Sequence, residues 1–389
     1  MRIDNPAKEK LREYNEKLLK YIETNYTLVK ILYLDLGVKT VRLLCYSEEF
    51  IPHIEKQLTY TLKTVSDKYD ATIVLWQEKD IQNLPKHISF DFNPKTNLRL
   101  RVEMLATKQK SLDLFIFEDS YHVNKPILSI DIVNNMVNSY NKENETYFYG
   151  VRDLEPEEFI KQGHIFVQIL NNILKTPNSN LIHGACIGLN NQGILLCARG
   201  QRGKSTLAVL AMLKGFEYVS DDYLTLEKDG ENLYAHPIYS IITLSPRMYN
   251  ELYKELEGCR FISNNARKDK YVINISNLHN KFKKRYPIKL CMFPEIVSDK
   301  EPSIKKCTNQ EKGRTITHLI HSTIFQMNDV HDINTIQKLI KMVEKYEFYK
   351  INLCNDISKN VECLRRFMTD STSDYQLFHR TPEFIIFYT

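Results

Sequence analysis

The chain has 389 residues, 43% hydrophobic and 26% charged, with 53 basic against 48 acidic side chains and a net charge of +5. That length predicts two or three domains with a sizeable core. The hydrophobic content excludes a disordered chain, no apolar run approaches the ~18–20 residues of a membrane span, and the small basic excess is no nucleic-acid signature.

The start, MRIDNPAKEKLREYNEKLLKYIE, is charged and lacks the apolar segment of a signal peptide. Eight scattered cysteines without a CxxC pair read as reduced thiols, so a cytoplasmic protein is expected. The unusual count is glycine. There are 12, and Gly184, Gly188, Gly193, Gly200, Gly203 and Gly215 crowd one short stretch. Permissive backbone concentrated in one place marks where function is expected.

In chain order, residues 1–25 predict an amphipathic helix with Leu11, Tyr14, Leu18, Tyr21 and Ile22 on one face. Strands are expected at 27–36, 41–47, 71–76, 98–105 and 112–118, with a helix over 48–66 and polar loops at 93–97 and 138–145. A helix over 155–174 carries Phe159, Phe166, Ile169, Leu170, Ile173 and Leu174 in a stripe. The segment KTPNSN (175–180) then breaks it and marks a domain boundary. Next, LIHGACIGL, a turn Asn190-Asn191-Gln192 and GILLCA predict a hairpin. With Leu189 and Gly193 flanking that turn, His183 lies opposite Arg199.

After GILLCA comes Ala198-Arg199-Gly200-Gln201-Arg202-Gly203-Lys204-Ser205-Thr206 and the strong helix former LAVLAMLK. This is the phosphate-loop spacing GxxxxGK[ST], with Ala198 at the first glycine position. Gly200 and Gly203 let loop amides, including those of Gln201 and Arg202, turn toward phosphates, and the helix N-terminus adds its partial positive charge. Lys204 would reach the β- and γ-phosphates and Ser205 would ligate Mg²⁺. The helix rises ~16 Å. The following strand, FEYVS, returns ~16 Å. Asp221 and Asp222 therefore come back level with the phosphate end.

Element by element, LIHGACIGLNNQGILLCARGQRGKSTLAVLAMLKGFEYVSDDYLTL resembles the core of the HPr kinase/phosphorylase family, which shares a nucleotide fold with phosphoenolpyruvate carboxykinases. The clear likeness covers about 181–227, with a fainter extension through PIKLCMFPEI to about 325; residues 1–150 match nothing nameable. The resemblance implies ATP- and Mg²⁺-dependent phosphorylation of a hydroxyl, commonly a serine of a protein or peptide. It also implies phosphate contacts from Gly200, Gly203, Lys204, Ser205 and Thr206. Asp221 would take the acceptor proton, assisted by His183, and Asp222 would hold Mg²⁺, although which aspartate does which job is not readable from sequence. No counterpart of the family's phosphorylase segment follows the Asp-Asp strand, which puts HPr itself as substrate, and the reverse reaction, in doubt.

Other clusters are read mainly as structural. The run from Arg267 to Lys270 and the run from Lys281 to Arg285 are expected to be solvated faces, with Lys270 the best candidate for an anion contact. Arg247 is expected as a surface residue at a helix start rather than an arginine finger. His318 and His321 lack the acidic partner a metal set needs.

The expected architecture is therefore mixed α/β. Residues 1–175 form an α+β domain for substrate recognition or assembly, 176–370 a P-loop kinase core, and 371–389 a tail. The expected partner is a peptide or protein acceptor, without membrane or nucleic acid, and the sequence leaves room for a homo-oligomer. The alternatives are a small-molecule hydroxyl kinase and a non-catalytic ATP-sensing module.

Overall fold

The computed structural model describes residues 5–78, 114–118, 126–131, 136–141, 145–152, 164–200, 202–265, 270–327 and 333–378. The strand expected at 98–105, the loop at 93–97 and Gln201 lie outside the described residues. The fold is mixed α/β, with eight α-helices among the described residues.

The helix Asn5–Asn25 precedes an eight-stranded sheet. Its strands are β1 (Lys30–Asp35), β2 (Thr40–Cys45), β3 (Leu62–Lys63), β4 (Ala71–Glu78), β5 (Leu114–Glu118), β6 (Pro126–Asp131), β7 (Met136–Asn141) and β8 (Thr146–Arg152), in the order β3-β1-β2-β4-β8-β7-β6-β5. Burial alternates along β2, with Val41, Leu43 and Cys45 inward, as a strand with one covered face requires. By contrast β4 lies parallel to both β2 and β8 and is buried along nearly its whole length. The polar stretch expected as a loop at 138–145 instead continues β7 to Asn141.

Two predicted helices differ from expectation within the described residues. The first spans Ile51–Leu58, and Leu62–Lys63 pairs with β1 instead. Thr61, Thr64 and Val65 are β-branched and favour that exit from the helix. Of the second, residues 155–163 lie outside the described residues; within the rest the helix spans Val167–Leu174, and Phe166 just before it is left-handed at φ 59°.

The second part is built from β9 (Ser179–His183), β10 (Ala185–Leu189), β11 (Gln192–Leu196), β12 (Glu217–Ser220), β13 (Tyr223–Asp229), β14 (Asn232–Pro237), β15 (Ile241–Leu244), β16 (Arg260–Asn265), β17 (Lys270–Asn274), β18 (Tyr286–Ile296), β19 (Ser303–Lys306) and β20 (Glu347–Leu353). The larger sheet runs β12-β10-β11-β18-β14-β13-β9, with β20 parallel to β18 and β19 antiparallel to β20; β15-β17-β16 form a small separate sheet.

Side chains alternate across the larger sheet. Ile194 and Leu196 of β11 face the core under the helices Lys204–Leu213 and Ile357–Phe378. Leu195 and Cys197 face a second core that takes in Leu319 and Leu339 of the helices Asn309–Met327 and Ile333–Val343. Each apolar side chain fully buried in this way contributes ~1.5–3 kcal/mol. A third core is shared between the two parts: Tyr149 and Leu170 pack in one cluster with Leu181, Tyr223, Tyr239 and Ile241. The C-terminal helix runs past residue 370 to Phe378.

The expected hairpin forms between β10 and β11, one residue out of the expected register. Its turn has two residues, Asn190 and Asn191, at φ 51° and 60°, the left-handed pair of a type I′ turn, so Leu189 pairs with Gln192 and Gly188 with Gly193. The expected first strand is also divided. The chain changes neighbours at Gly184, so β9 pairs with β13, and His183 lies opposite Tyr223 rather than Arg199. Gly188 and Gly193 leave bare backbone against which Tyr286 packs; a Cβ at Gly188 would run into that ring.

Candidate functional site

The phosphate-loop candidate leaves the C-terminal end of β11. Cys197 N–H donates to Met292 O at 2.9 Å, carrying the pairing with β18 one residue past the strand, and Ala198 is fully buried. Gly200 faces open space, and Arg202 is exposed and pairs with Glu295 at 3.5 Å. Gly203, at φ 88°, precedes the helix Lys204–Leu213, whose first turn closes with Leu207 N–H to Gly203 O at 2.8 Å. Ser205 and Thr206 lie in that first turn.

The helix ends where the glycine pattern requires. Gly215 at φ 96° donates to Met212 O at 3.0 Å, and Phe216 N–H donates to Ala211 O at 2.9 Å. These are the two bonds of a Schellman cap. β12 then brings the chain back to Asp221 and Asp222. Ser220 Oγ donates to Tyr223 O at 2.6 Å, and Gly184 N–H donates to Asp222 O at 3.0 Å. Asp222 is left-handed at φ 64°, a conformation that costs ~1–3 kcal/mol and gathers at functional sites.

Four predicted side chains meet here. Lys204 Nζ lies 3.4 Å from Asp222 Oδ1 and 3.6 Å from Asp221 Oδ1, with the lysine only 4% exposed. His183 Nε2 lies 3.6 Å from Asp222 Oδ1, which sets the histidine against Asp222, where the resemblance implied Asp221. Thr243, on β15, donates to Asp222 Oδ2 at 3.0 Å, and Thr323 Oγ1 accepts from His183 N–H at 3.1 Å. No local motif marks either threonine; each reaches the site through a distant element.

The two carboxylates differ sharply. Burial and the neighbouring charge of Asp222 push Asp221 up to about 6, against the pull of Lys204, and both its oxygens are buried without a hydrogen-bond partner. Burial would raise Asp222 too, but Lys204 and then His183 hold it well below the usual carboxylate range. Burial alone would lower Lys204; the two aspartates reverse that and raise it. The Ser205 hydroxyl acts on Asp221, as does the charge of Lys270 at the start of β17. A buried carboxylate that Lys204 only partly compensates, beside a hydroxyl, fits Mg²⁺, which commonly takes one or two protein ligands and completes its shell with phosphate oxygens and water.

The remaining candidates stand apart. Arg247 is exposed and pairs with Glu251 at 2.8 Å. Lys281 Nζ donates to Met212 O at 3.0 Å, Lys283 pairs with Glu217 at 2.9 Å, and Arg285 pairs with Glu227 at 3.1 Å. His318 stacks on Phe293, with ring centroids 5.7 Å apart. Among the described residues, no group of three or more His, Cys, Asp or Glu side chains could hold a metal. Also among them, no helix is long and apolar enough to cross a membrane.

No family model matches this sequence. No curated protein matches it either. Among solved structures, the chain is similar to the Hpr(Ser) kinase/phosphatase from Coxiella burnetii, at 11% identity over 50% of this chain and 99% of that one, with a TM-score of 0.29. A likeness that loose bears on neither activity nor residue roles, which rest on the local geometry alone.

Proposed function

We propose that the chain is an ATP- and Mg²⁺-dependent kinase that transfers the γ-phosphoryl group to a hydroxyl, that of a serine or threonine in a peptide or protein. One observation carries the reading. A loop with phosphate-loop spacing, a buried lysine and two aspartates with opposite electrostatic environments converge at one helix N-terminus.

Ser205 and Asp221 would hold Mg²⁺, which when bound supplies charge neutralisation for the phosphates. The loop amides and the N-terminal end of the helix Lys204–Leu213 bind the phosphate oxygens. Lys204 exchanges its aspartate partners for those oxygens. Asp222 is less buried than Asp221, at 16% against 1% side-chain exposure, and meets His183. It therefore suits the acceptor side: it orients the hydroxyl and takes its proton as the acceptor oxygen attacks the γ-phosphorus and the β–γ bridge breaks. This division reverses the one implied by the family resemblance. Residues 1–175, which share a core with the second part, would present the acceptor.

The test is MgATP turnover with candidate peptides, followed by intact mass. Gain of one phosphate by wild type and none by Asp222→Asn, with nucleotide binding preserved in the variant, is expected. An Asp222→Asn protein with wild-type turnover sinks the assignment of Asp222.

A further inference from the structure

The segment ahead of the helix Val167–Leu174 is held in place from both parts of the fold. Ile165 N–H donates to Gln57 Oε1 at 3.2 Å, and Tyr239 Oη donates to Ile165 O at 2.6 Å. Ile165 and Phe166 are buried, and Phe166 keeps its left-handed backbone. The residue these contacts position is His164, partly buried against Tyr223 and Tyr239.

Its ring meets Tyr223 edge-on at 4.7 Å and Tyr239 at 4.5 Å. Tyr223 follows Asp222 in the chain, and its ring also lies 5.5 Å from that of His183. His164 is close enough to Asp222 for its charge to act on that carboxylate. Lys204, at the start of the helix after the phosphate loop, lies 3.4 Å from Asp222, while His164 comes from the segment ahead of the helix Val167–Leu174 and packs on Tyr223, the residue after Asp222.

We propose that His164 is a substrate-binding residue on the acceptor side, donating an imidazole hydrogen bond to an oxygen of the phosphoryl group once it has passed to the acceptor. The inference rests on the kinase reading above and extends it to a residue outside the phosphate-loop region. On that reading the phosphoryl group moves with the acceptor away from Lys204, and a further donor near Asp222 would hold it. A partly buried imidazole fixed between two tyrosine rings supplies one without a flexible side chain to order.

The test is calorimetric titration of inorganic phosphate into protein saturated with MgADP, for wild type, His164→Ala, His164→Gln and His164→Phe. MgADP affinity should stay within about twofold in all four. Phosphate affinity should fall at least about tenfold in the Ala and Phe variants, and Gln, which keeps a donor, should recover part of it. His164→Phe retains the ring contacts, so a thermal melt of that variant separates loss of the donor from loss of packing. In wild type, the His164 imidazole ¹H–¹⁵N resonances should shift when phosphate is added to the MgADP complex. Unchanged phosphate affinity in Ala and Phe, an unmoved resonance, or wild type that binds MgADP but not phosphate each overturns the role of His164 alone. A wild type that does not bind MgADP overturns the kinase reading and this inference together.

Discussion

Asp221→Asn should make the nucleotide-free protein more stable while weakening its Mg²⁺-dependent nucleotide binding. Asp221 is 2% exposed, and burial together with the charge of Asp222 raises it from its ordinary 3.8 to about 6, even with Lys204 3.6 Å away. At ~1.36 kcal/mol per tenfold in proton affinity, that gap is ~3 kcal/mol of destabilisation by the ionised group. The sign follows from linkage. The folded state binds the proton more tightly than the unfolded chain, so this group's contribution is most favourable below 3.8 and is lost as pH rises through about 6. Asparagine removes the charge but leaves a buried amide to satisfy, which costs ~1–2 kcal/mol. The net expectation at pH 7.5 is a gain of ~1–2 kcal/mol. Urea denaturation without nucleotide measures it, and the variant should also lose the wild-type decline in stability between about pH 3.8 and pH 6 that this group causes. Loss of more than ~1 kcal/mol at pH 7.5, with the pH dependence unchanged, would refute the picture of a buried carboxylate that its neighbours compensate only in part.

Three further outcomes test the fold around the site. Burial lowers His236 from its ordinary 6.5 despite its 2.9 Å contact with Glu227, so its contribution should be complete above 6.5 and fade as pH falls below it. His236→Gln should flatten that acid-side slope in denaturation midpoints, and a wild-type slope in the variant counts against the assignment. Gly188→Ala should cost ~1–3 kcal/mol by driving a methyl into Tyr286; combining it with Tyr286→Ala should erase most of the penalty in a double-mutant cycle, and strict additivity would contradict the contact. Asn191→Val should cost ~1–2 kcal/mol because φ 60° is hostile to a β-branched residue, whereas Asn191→Gly should be neutral or better; equal stability of the two variants would argue against the type I′ turn.

Local signals carried the centre of the site. The GxxxxGK[ST] spacing, a helix capped by Gly215 and the returning strand were enough to bring Lys204 and the two aspartates together, because each step depends on a few consecutive residues. What sequence could not supply depended on distant partners. The division of the first strand at Gly184 is fixed by β13, which pairs with β9 and takes His183 to Tyr223. The need for glycine at 188 is visible only once Tyr286 is in place. The left-handed turn at Phe166 just ahead of the helix Val167–Leu174 is set by contacts to Gln57 and Tyr239 around Ile165, and that same arrangement positions His164. The hairpin slipped by one residue because Asn-Asn can supply both left-handed positions of a two-residue turn, leaving Gln192 to the strand.

The central claim is that this site binds MgATP and passes its γ-phosphoryl group to a hydroxyl. Intact-mass spectrometry of candidate serine peptides incubated with MgATP and either wild type or Lys204→Ala tests it most directly. One added phosphate with wild type and none with a folded Lys204→Ala protein is the predicted result. Nucleotide binding without transfer to any hydroxyl, or equal transfer by the two proteins, would contradict it.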